Sequence, residues 1–127
     1  MNPFSHIDLR VDSMAKCLPF YRALLAEFGF GDPTSSGEWE IFVGEGEYPS
    51  VAFFSIIEEV AHRPNGNRIA LWAGSRDEVD AIGALLREIG ASIESGPRLC
   101  SEYNDGYYAV FFEDPAGNLL EVVHRTE

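Results

Sequence analysis

Hydrophobic and polar residues alternate in two short segments of the chain. Residues 6–11 place Ile and Leu at every second position, and residues 68–73 do the same. Alternation with a period of two predicts a strand with one buried face. The Ile-x-Leu pairs of the two segments lie 62 positions apart, so the chain carries a weak internal repeat.

Each alternating segment leads into apolar residues spaced by three and four positions, which predicts an amphipathic helix. Those residues are Leu18, Tyr21, Leu25 and Phe28 in the first helix and Val79, Ile82, Leu86 and Ile89 in the second. Asp12 or Ser13 can cap the first helix, and a Ser-Arg-Asp-Glu capping box opens the second. Gly29 and Gly90 supply left-handed residues that end the helices. Pro19 should kink the first helix or make its opening turn irregular.

Strand-like segments follow each helix and pair around turns. Residues 38–43 and 51–57 flank a Gly-rich turn, and residues 107–112 and 119–123 flank a five-residue loop at 114–118. A further short strand is expected before each hairpin, near Gly31 and Ser92. With a five-residue loop Phe111 pairs with Glu121, whereas a loop one residue longer would move the partners to the other face.

The order strand, helix and three strands therefore occurs twice. It predicts an α+β fold in which two βαβββ modules, residues 1–60 and 66–127, form a curved, barrel-like mixed sheet with the helices outside. A chain of 127 residues has the usual size of a single domain, so we expect residues 1–127 to form one.

Charge and composition restrict the partners. Acidic residues number 21 against nine basic ones, and the resulting net charge of −12 argues against nucleic acid or an anionic membrane as a partner. No apolar stretch is long enough to span a bilayer, and no signal peptide is visible. Cys17 and Cys100 form no framework, so we expect free thiols and a cytoplasmic protein.

The alternation of side chains along the strands predicts polar residues on the sheet face away from the helices. His6 lies on this face in the first module, and Arg68 and Trp72 lie on it in the second. Phe111 and Glu121 join them if the hairpin loop has five residues. A polar centre in an aromatic wall is a candidate site, because an unpaired buried charge is costly. The alternative is that the three polar side chains lie on the surface and never meet.

Two parts of the chain also resemble the vicinal oxygen chelate superfamily, which contains glyoxalases, bleomycin resistance proteins and ring-cleaving dioxygenases. They are FSHIDLRV at 4–11 followed by PFYRALL at 19–25, and the more specific GYYAVFFEDPAGNLLEVV at 106–123. The resemblance covers essentially the whole chain. It implies paired modules that form a cup around a divalent metal such as zinc, nickel, manganese or iron, a small-molecule ligand, Lewis-acid catalysis and frequent homodimers.

The metal positions implied by the resemblance are only partly filled. His6 matches the first-strand histidine, and Glu121 matches the C-terminal glutamate, which would also be the catalytic residue. Arg68 stands where metal-binding members usually have histidine. The fourth position falls near Phe53, which has no ligand atom, and Ser55 would be a poor substitute. Three protein ligands are the usual minimum for a catalytic metal, so the set is incomplete.

We therefore predict that the Arg68 guanidinium takes over the electrostatic role of the metal. It can pair with Glu121 and still donate hydrogen bonds to an anionic or carbonyl-bearing ligand. The alternative is an Arg68 side chain turned toward solvent. The aromatic residues expected to bind the ligand are Trp39, Phe53, Trp72, Tyr107 and Phe111.

Three functions remain open at this point. The first is a metal-independent protein that binds or sequesters a small molecule. The second is a divalent-metal-dependent lyase, isomerase or ring-cleaving dioxygenase in which His6 and Glu121 bind the metal. The third is a non-enzymatic subunit whose open cup is closed by another chain. A fosfomycin-type thiol transferase is disfavoured, because the sequence lacks a hydroxyl- and lysine-rich anion pocket.

Overall fold

A computed structural model describes residues 2–127 and contains two compact units, one ending at Arg63 and the other running from Pro64 to Glu127. The first unit contains β1 (His6–Val11), α1 (Met14–Ala26), β2 (Thr34–Ser36), β3 (Trp39–Val43) and β4 (Phe53–Glu58). The second contains β5 (Arg68–Trp72), α2 (Arg76–Glu88), β6 (Ser92–Leu99), β7 (Tyr108–Glu113) and β8 (Leu119–His124). The predicted α+β class and the repeated βαβββ order are confirmed.

Both units use the same strand order. The first sheet is β1-β4-β3-β2, and the second is β5-β8-β7-β6. In each sheet the first and last strands of the unit run parallel, while the other neighbours are antiparallel. Neither helix of the described chain combines the length and apolar character needed to cross a bilayer.

The helix ends follow the capping residues in the sequence. Ser13 caps α1 and Ser75 caps α2, and each side-chain oxygen accepts a backbone N–H of the first turn. Gly29 and Gly90 have φ angles of 82° and 75°, the left-handed conformation predicted for them. The first helix is helical on both sides of Pro19, so the predicted irregular opening turn is not found.

Each core lies between a helix and one face of a sheet. In the first unit the Tyr21 ring packs on Phe54 with 5.6 Å between centroids. In the second unit Phe112 is fully buried. The second helix also comes very close to β6, because a Cβ atom at Gly83 would lie only 2.6 Å from Pro97 Cγ. A glycine in the helix interior therefore allows this close packing.

The loop between β7 and β8 is organised by one buried side chain. Asp114 Oδ1 accepts the backbone N–H groups of Ala116 and Asn118 at 2.9 Å each, and Oδ2 accepts the Asn118 side-chain amide at 2.8 Å. These bonds hold the loop at five residues. Phe111 consequently pairs with Glu121, which confirms the predicted register.

The strand before the first hairpin differs from its prediction. It begins at Thr34 rather than near Gly31. Gly31 already donates its backbone N–H to the Val43 carbonyl of β3 at 3.4 Å. Pro33 has no backbone N–H to continue the ladder, so the strand itself starts after this residue. The corresponding strand of the second unit begins at Ser92, as expected.

Candidate functional site

The second unit contains a cavity of about 470 Å³ on one side of its sheet. Four of the residues predicted from the sequence line it: Arg68, Tyr107, Phe111 and Glu121. Other lining residues that the sequence did not single out include Glu94, Arg98, Tyr103 and Arg125. The cavity therefore combines aromatic rings with side chains of both charges.

A buried carboxyl group and a tyrosine form the polar centre of this cavity. Glu121 is only 4% exposed, and the Tyr107 hydroxyl donates a hydrogen bond to its Oε2 atom. Burial, and then this hydrogen bond, raise the pKa of Tyr107 well above its usual range. The phenol is therefore a proton-bearing donor at neutral pH. Tyr103 packs edge-on against the same ring, with 4.9 Å between the centroids.

Arg68 also lines the cavity but does not form the predicted pair with Glu121. One terminal nitrogen donates to the Leu120 carbonyl at 2.8 Å, and the other donates to Glu94 at 3.1 and 3.3 Å. The predicted ion pair between Arg68 and Glu121 is wrong, and two features of the structure explain why. The register places Arg68 two positions from Glu121 along β8, and Tyr107 already binds that carboxyl group.

A second guanidinium reaches the cavity from an irregular strand. The pairing of β6 with β7 shifts by one residue before Ser95 and by another before Arg98. Ser95 pairs with Phe111 and Arg98 pairs with Ala109, so both lie on the Phe111 side of β7. The guanidinium carbons of Arg68 and Arg98 lie 5.2 and 5.7 Å from the centroid of the Phe111 ring. Arg98 also donates to Glu102 at 2.9 and 3.3 Å, which lowers the pKa of that carboxyl.

Plain alternation along β6, counted from the pair of Ile93 with Phe112, already places Glu94 and Arg98 on the cavity side of the strand. Each bulge inserts one residue into β6, so the first reverses the alternation and the second restores it. Only Ser95 owes its side of the sheet to a bulge. The signal in the sequence is the Gly96-Pro97 pair, because glycine and proline inside a strand often mark a bulge. Gly96 adopts a φ of 90°, and a Cβ atom there would collide with the backbone oxygen of Ala109.

Trp72 lies outside the cavity lining. Its side chain is 60% exposed, and the Arg125 guanidinium lies 4.6 Å from the ring centroid. Arg125 itself lines the cavity. Trp72 therefore contacts the cavity-lining residue Arg125 but does not line the cavity itself.

The remaining predicted residues belong to the sheet of the first unit. The His6 ring stacks on Phe53 with 4.3 Å between the centroids and an interplanar angle of 4°. His6 Nε2 lies 3.9 Å from Asp8 Oδ2. Trp39 lies under the Arg10 guanidinium at 5.9 Å. These contacts place an imidazole beside one carboxylate and one aromatic ring.

The register also corrects one position that the resemblance assigned. Glu121 lies two positions after the β8 residue that pairs with Arg68. The residue two positions after the β4 partner of His6 is Ser55, so Ser55, and not Phe53, is the internal counterpart of Glu121. Ser55 is fully buried, and its hydroxyl has no hydrogen-bond partner among the described residues.

A divalent metal, which the resemblance implies, does not fit the second-unit cavity. Arg68 and Arg98 are permanently charged and repel a cation. Tyr107 binds one oxygen of Glu121, and no imidazole or thiol belongs to the cavity lining within residues 2–127. Across the same residues, no three His, Cys, Asp or Glu side chains form a group that could hold a metal ion.

Comparisons with known proteins agree with this fold. A family model described as Glyoxalase/Bleomycin resistance protein/Dioxygenase superfamily matches residues 4–122. A glyoxalase/bleomycin resistance protein from Albidiferax ferrireducens T118 is 25% identical, with 97% of this chain and 98% of that chain covered and a TM-score of 0.76. A protein proposed to be a glyoxalase from Bacillus halodurans is 25% identical, with coverages of 97% and 96% and a TM-score of 0.78.

A third similar structure is that of the fosfomycin resistance protein FosX from Listeria monocytogenes, complexed with Mn(II) and sulfate. It is 22% identical, with 99% of this chain and 92% of that chain covered and a TM-score of 0.71. At this identity the likeness concerns the fold alone. A search of curated proteins found no significant match.

Proposed function

This chain belongs to the glyoxalase, bleomycin resistance protein and dioxygenase superfamily, and we propose that its second unit binds a small organic molecule without a divalent metal. The observation that carries the proposal is the pair of arginines in the cavity wall. Arg68 stands where metal-binding relatives usually have a histidine, and Arg98 reaches the same aromatic ring. Positive charge is therefore supplied by the protein itself.

The size and lining of the cavity suit a small ligand. A volume of about 470 Å³ falls within the roughly 300–1,000 Å³ typical of small-molecule sites. Phe111, Tyr103 and Tyr107 offer aromatic surface, which contributes most of the binding energy in such sites. The charged groups then orient the ligand by directed hydrogen bonds.

Arg68 retains hydrogen-bonding capacity for a ligand. A guanidinium carries five N–H donors. The Leu120 carbonyl and the Glu94 carboxylate bind its two terminal nitrogens but do not use all of these donors. The remaining donors can bind a carbonyl or anionic oxygen, and Glu121 can accept a donor from the same ligand. The homodimer implied by the resemblance stays a prediction.

The proposal is tested by NMR with ¹⁵N-labelled protein and EDTA present throughout. A panel of small aromatic acids, amides and amines is added, and backbone amide shifts are mapped. We expect shifts to concentrate at Arg68, Tyr107 and Phe111, and replacement of EDTA by Mn²⁺ or Zn²⁺ should leave the affinity unchanged.

A pair of variants supplies the control. Phe111→Leu should weaken binding, whereas Tyr108→Phe changes a neighbouring ring that is not part of the cavity lining and should leave binding unchanged. Binding that occurs only after metal is added would instead support the lyase, isomerase or dioxygenase alternative. Absence of cavity shifts with every class of compound would contradict the proposal.

A further inference from the structure

We infer that the ligand of this cavity carries a carboxylate, and that Arg68 and Arg98 together bind this group across the Phe111 ring. The inference rests on the proposed function and specifies its ligand as an organic acid. It also assigns a specificity role to Arg98, which pairs with Ala109 on the cavity side of β7.

The distribution of positive charge supports an acidic ligand. The chain has a net charge of −12 and only nine basic residues. Three of these nine, Arg68, Arg98 and Arg125, line the cavity together with three glutamates, Glu94, Glu121 and Glu127. Basic and acidic side chains are therefore equal in number in the lining, whereas in the whole chain acidic residues outnumber basic ones by 21 to nine.

The two guanidinium groups lie close to one ring. Their central carbons are 5.2 and 5.7 Å from the Phe111 centroid. Both are guanidinium groups, and each carries N–H donors in a fixed planar arrangement. We expect a ligand carboxylate at the Phe111 ring to accept hydrogen bonds from both.

Two glutamates already make this type of contact within the protein. Glu94 accepts from Arg68 at 3.1 and 3.3 Å, and Glu102 accepts from Arg98 at 2.9 and 3.3 Å. Their side chains are 37% and 50% exposed. Ion pairs this exposed stabilise a protein little, so a ligand carboxylate can replace either glutamate at small cost.

Glu121 would favour a different class of ligand, namely a cation. A buried carboxyl group facing a cavity could attract a cationic ligand. The lining holds three arginines beside its three glutamates, however, and Tyr107 already donates to one oxygen of Glu121, so little of this carboxyl group is left for a cation. We therefore expect Glu121 to accept a neutral donor, such as a hydroxyl of the acid.

The experiment uses three probes with the same ring and different charges: benzoate, benzamide and benzamidine. Dissociation constants are measured by ¹⁵N NMR titration of the full chain with EDTA present. Benzoate should bind about tenfold more tightly than benzamide, since charge-assisted hydrogen bonds exceed neutral ones. Benzamidine should bind most weakly.

Four variants separate local from long-range charge effects. Arg68→Gln and Arg98→Gln should each weaken benzoate binding about tenfold, while Glu94→Gln should strengthen it a few-fold by removing the internal competitor. Arg87→Gln removes the same charge from an exposed position on α2, outside the cavity lining, and should leave the affinity nearly unchanged. Amide spectra of each variant verify its fold.

The outcomes distinguish the two proposals. If none of the three probes shifts cavity residues, the proposed function itself fails. If benzamide or benzamidine binds most tightly, or if Arg68→Gln and Arg98→Gln behave like Arg87→Gln, the cavity binds small molecules but the carboxylate inference is wrong.

Discussion

The two units share a strand order and a helix-covered layer, but the polar residues at corresponding sheet positions are different. In the first unit the counterpart of Glu121 is Ser55, a buried hydroxyl without a hydrogen-bond partner in the described chain. In the second unit Glu121 accepts a hydrogen bond from Tyr107 and lines a cavity. The two units therefore share their strand arrangement but carry different polar side chains at corresponding positions of one sheet face.

The edge strands differ even more than the central ones. In the first unit β2 has three residues and pairs with β3 without a register shift. In the second unit β6 has eight residues and two register shifts. The first shift turns Ser95 to the cavity side, and the second restores the original alternation, so Glu94 and Arg98 also lie on that side. The longer edge strand of the second unit thus supplies two charged groups to the cavity, whereas β2 consists of one threonine and two serines.

The largest expected effect tests the layer that the units share. Phe42 and Phe112 occupy corresponding positions and are 1% and 0% exposed. Phe42→Ala and Phe112→Ala should each lower the free energy of unfolding by about 3–5 kcal/mol, because each leaves a cavity in a packed core. Urea unfolding measures this loss, and a loss below about 1 kcal/mol for either variant would show that the layers are not equivalent.

An intermediate effect tests the polar centre found only in the second unit. Tyr107→Phe removes the donor to buried Glu121 and should cost about 1–3 kcal/mol at neutral pH. Tyr108→Phe is the matched control, because its hydroxyl donates to Asp80 in an exposed setting. The control should cost less. Equal losses in chemical unfolding would mean that the buried carboxyl does not depend on Tyr107.

The same pair of variants has a pH dependence with a defined sign. The pKa of Tyr107 is raised in the folded state by burial and by its bond to Glu121, so the folded protein holds this proton more tightly than the unfolded chain. The stability from this group is complete below the usual tyrosine pKa of about 10 and declines as pH rises above it. The stability difference between wild type and Tyr107→Phe should therefore shrink above about pH 10. A difference that grows there would reverse the assigned sign.

The smallest effect concerns the first unit. Ser55→Ala removes a buried hydroxyl that has no partner, so it should raise the free energy of unfolding by about 1 kcal/mol. Ser36→Ala changes an exposed serine on β2 and should alter stability very little. If Ser55→Ala destabilises the protein instead, the hydroxyl has a partner, and the two units are more alike than their geometry indicates.

Much of the fold follows from local signals in the sequence. Ser13 and Ser75 cap the helices, and the Asp114 loop holds the register that pairs Phe111 with Glu121. Each of these features depends on residues close together in the chain. The start of β2 does not follow from the alternation pattern, because Pro33 interrupts the backbone ladder between Gly31 and Thr34.

The site was less predictable, because its contacts depend on long-range geometry. Strand parity places Arg68, Phe111 and Glu121 on one face of the second sheet, and all three line its cavity. The grouping of His6 with Arg68 and Glu121 stays a prediction. The sequence did not identify Arg98, although the two one-residue bulges cancel and leave it on the side of β6 that plain alternation gives it. The predicted ion pair also failed, because the partner of Arg68 is a glutamate on another strand.

In the proposed function arginine, and not a divalent metal, supplies positive charge to the ligand cavity. The most direct measurement is the melting temperature of EDTA-stripped protein titrated with Mn²⁺, Zn²⁺, Ni²⁺ and Fe²⁺, in parallel with His6→Ala and Glu121→Gln. A specifically bound metal raises Tm with the ratio of its concentration to its dissociation constant. We predict no rise that depends on His6 or Glu121. A concentration-dependent rise that disappears in either variant would contradict the account.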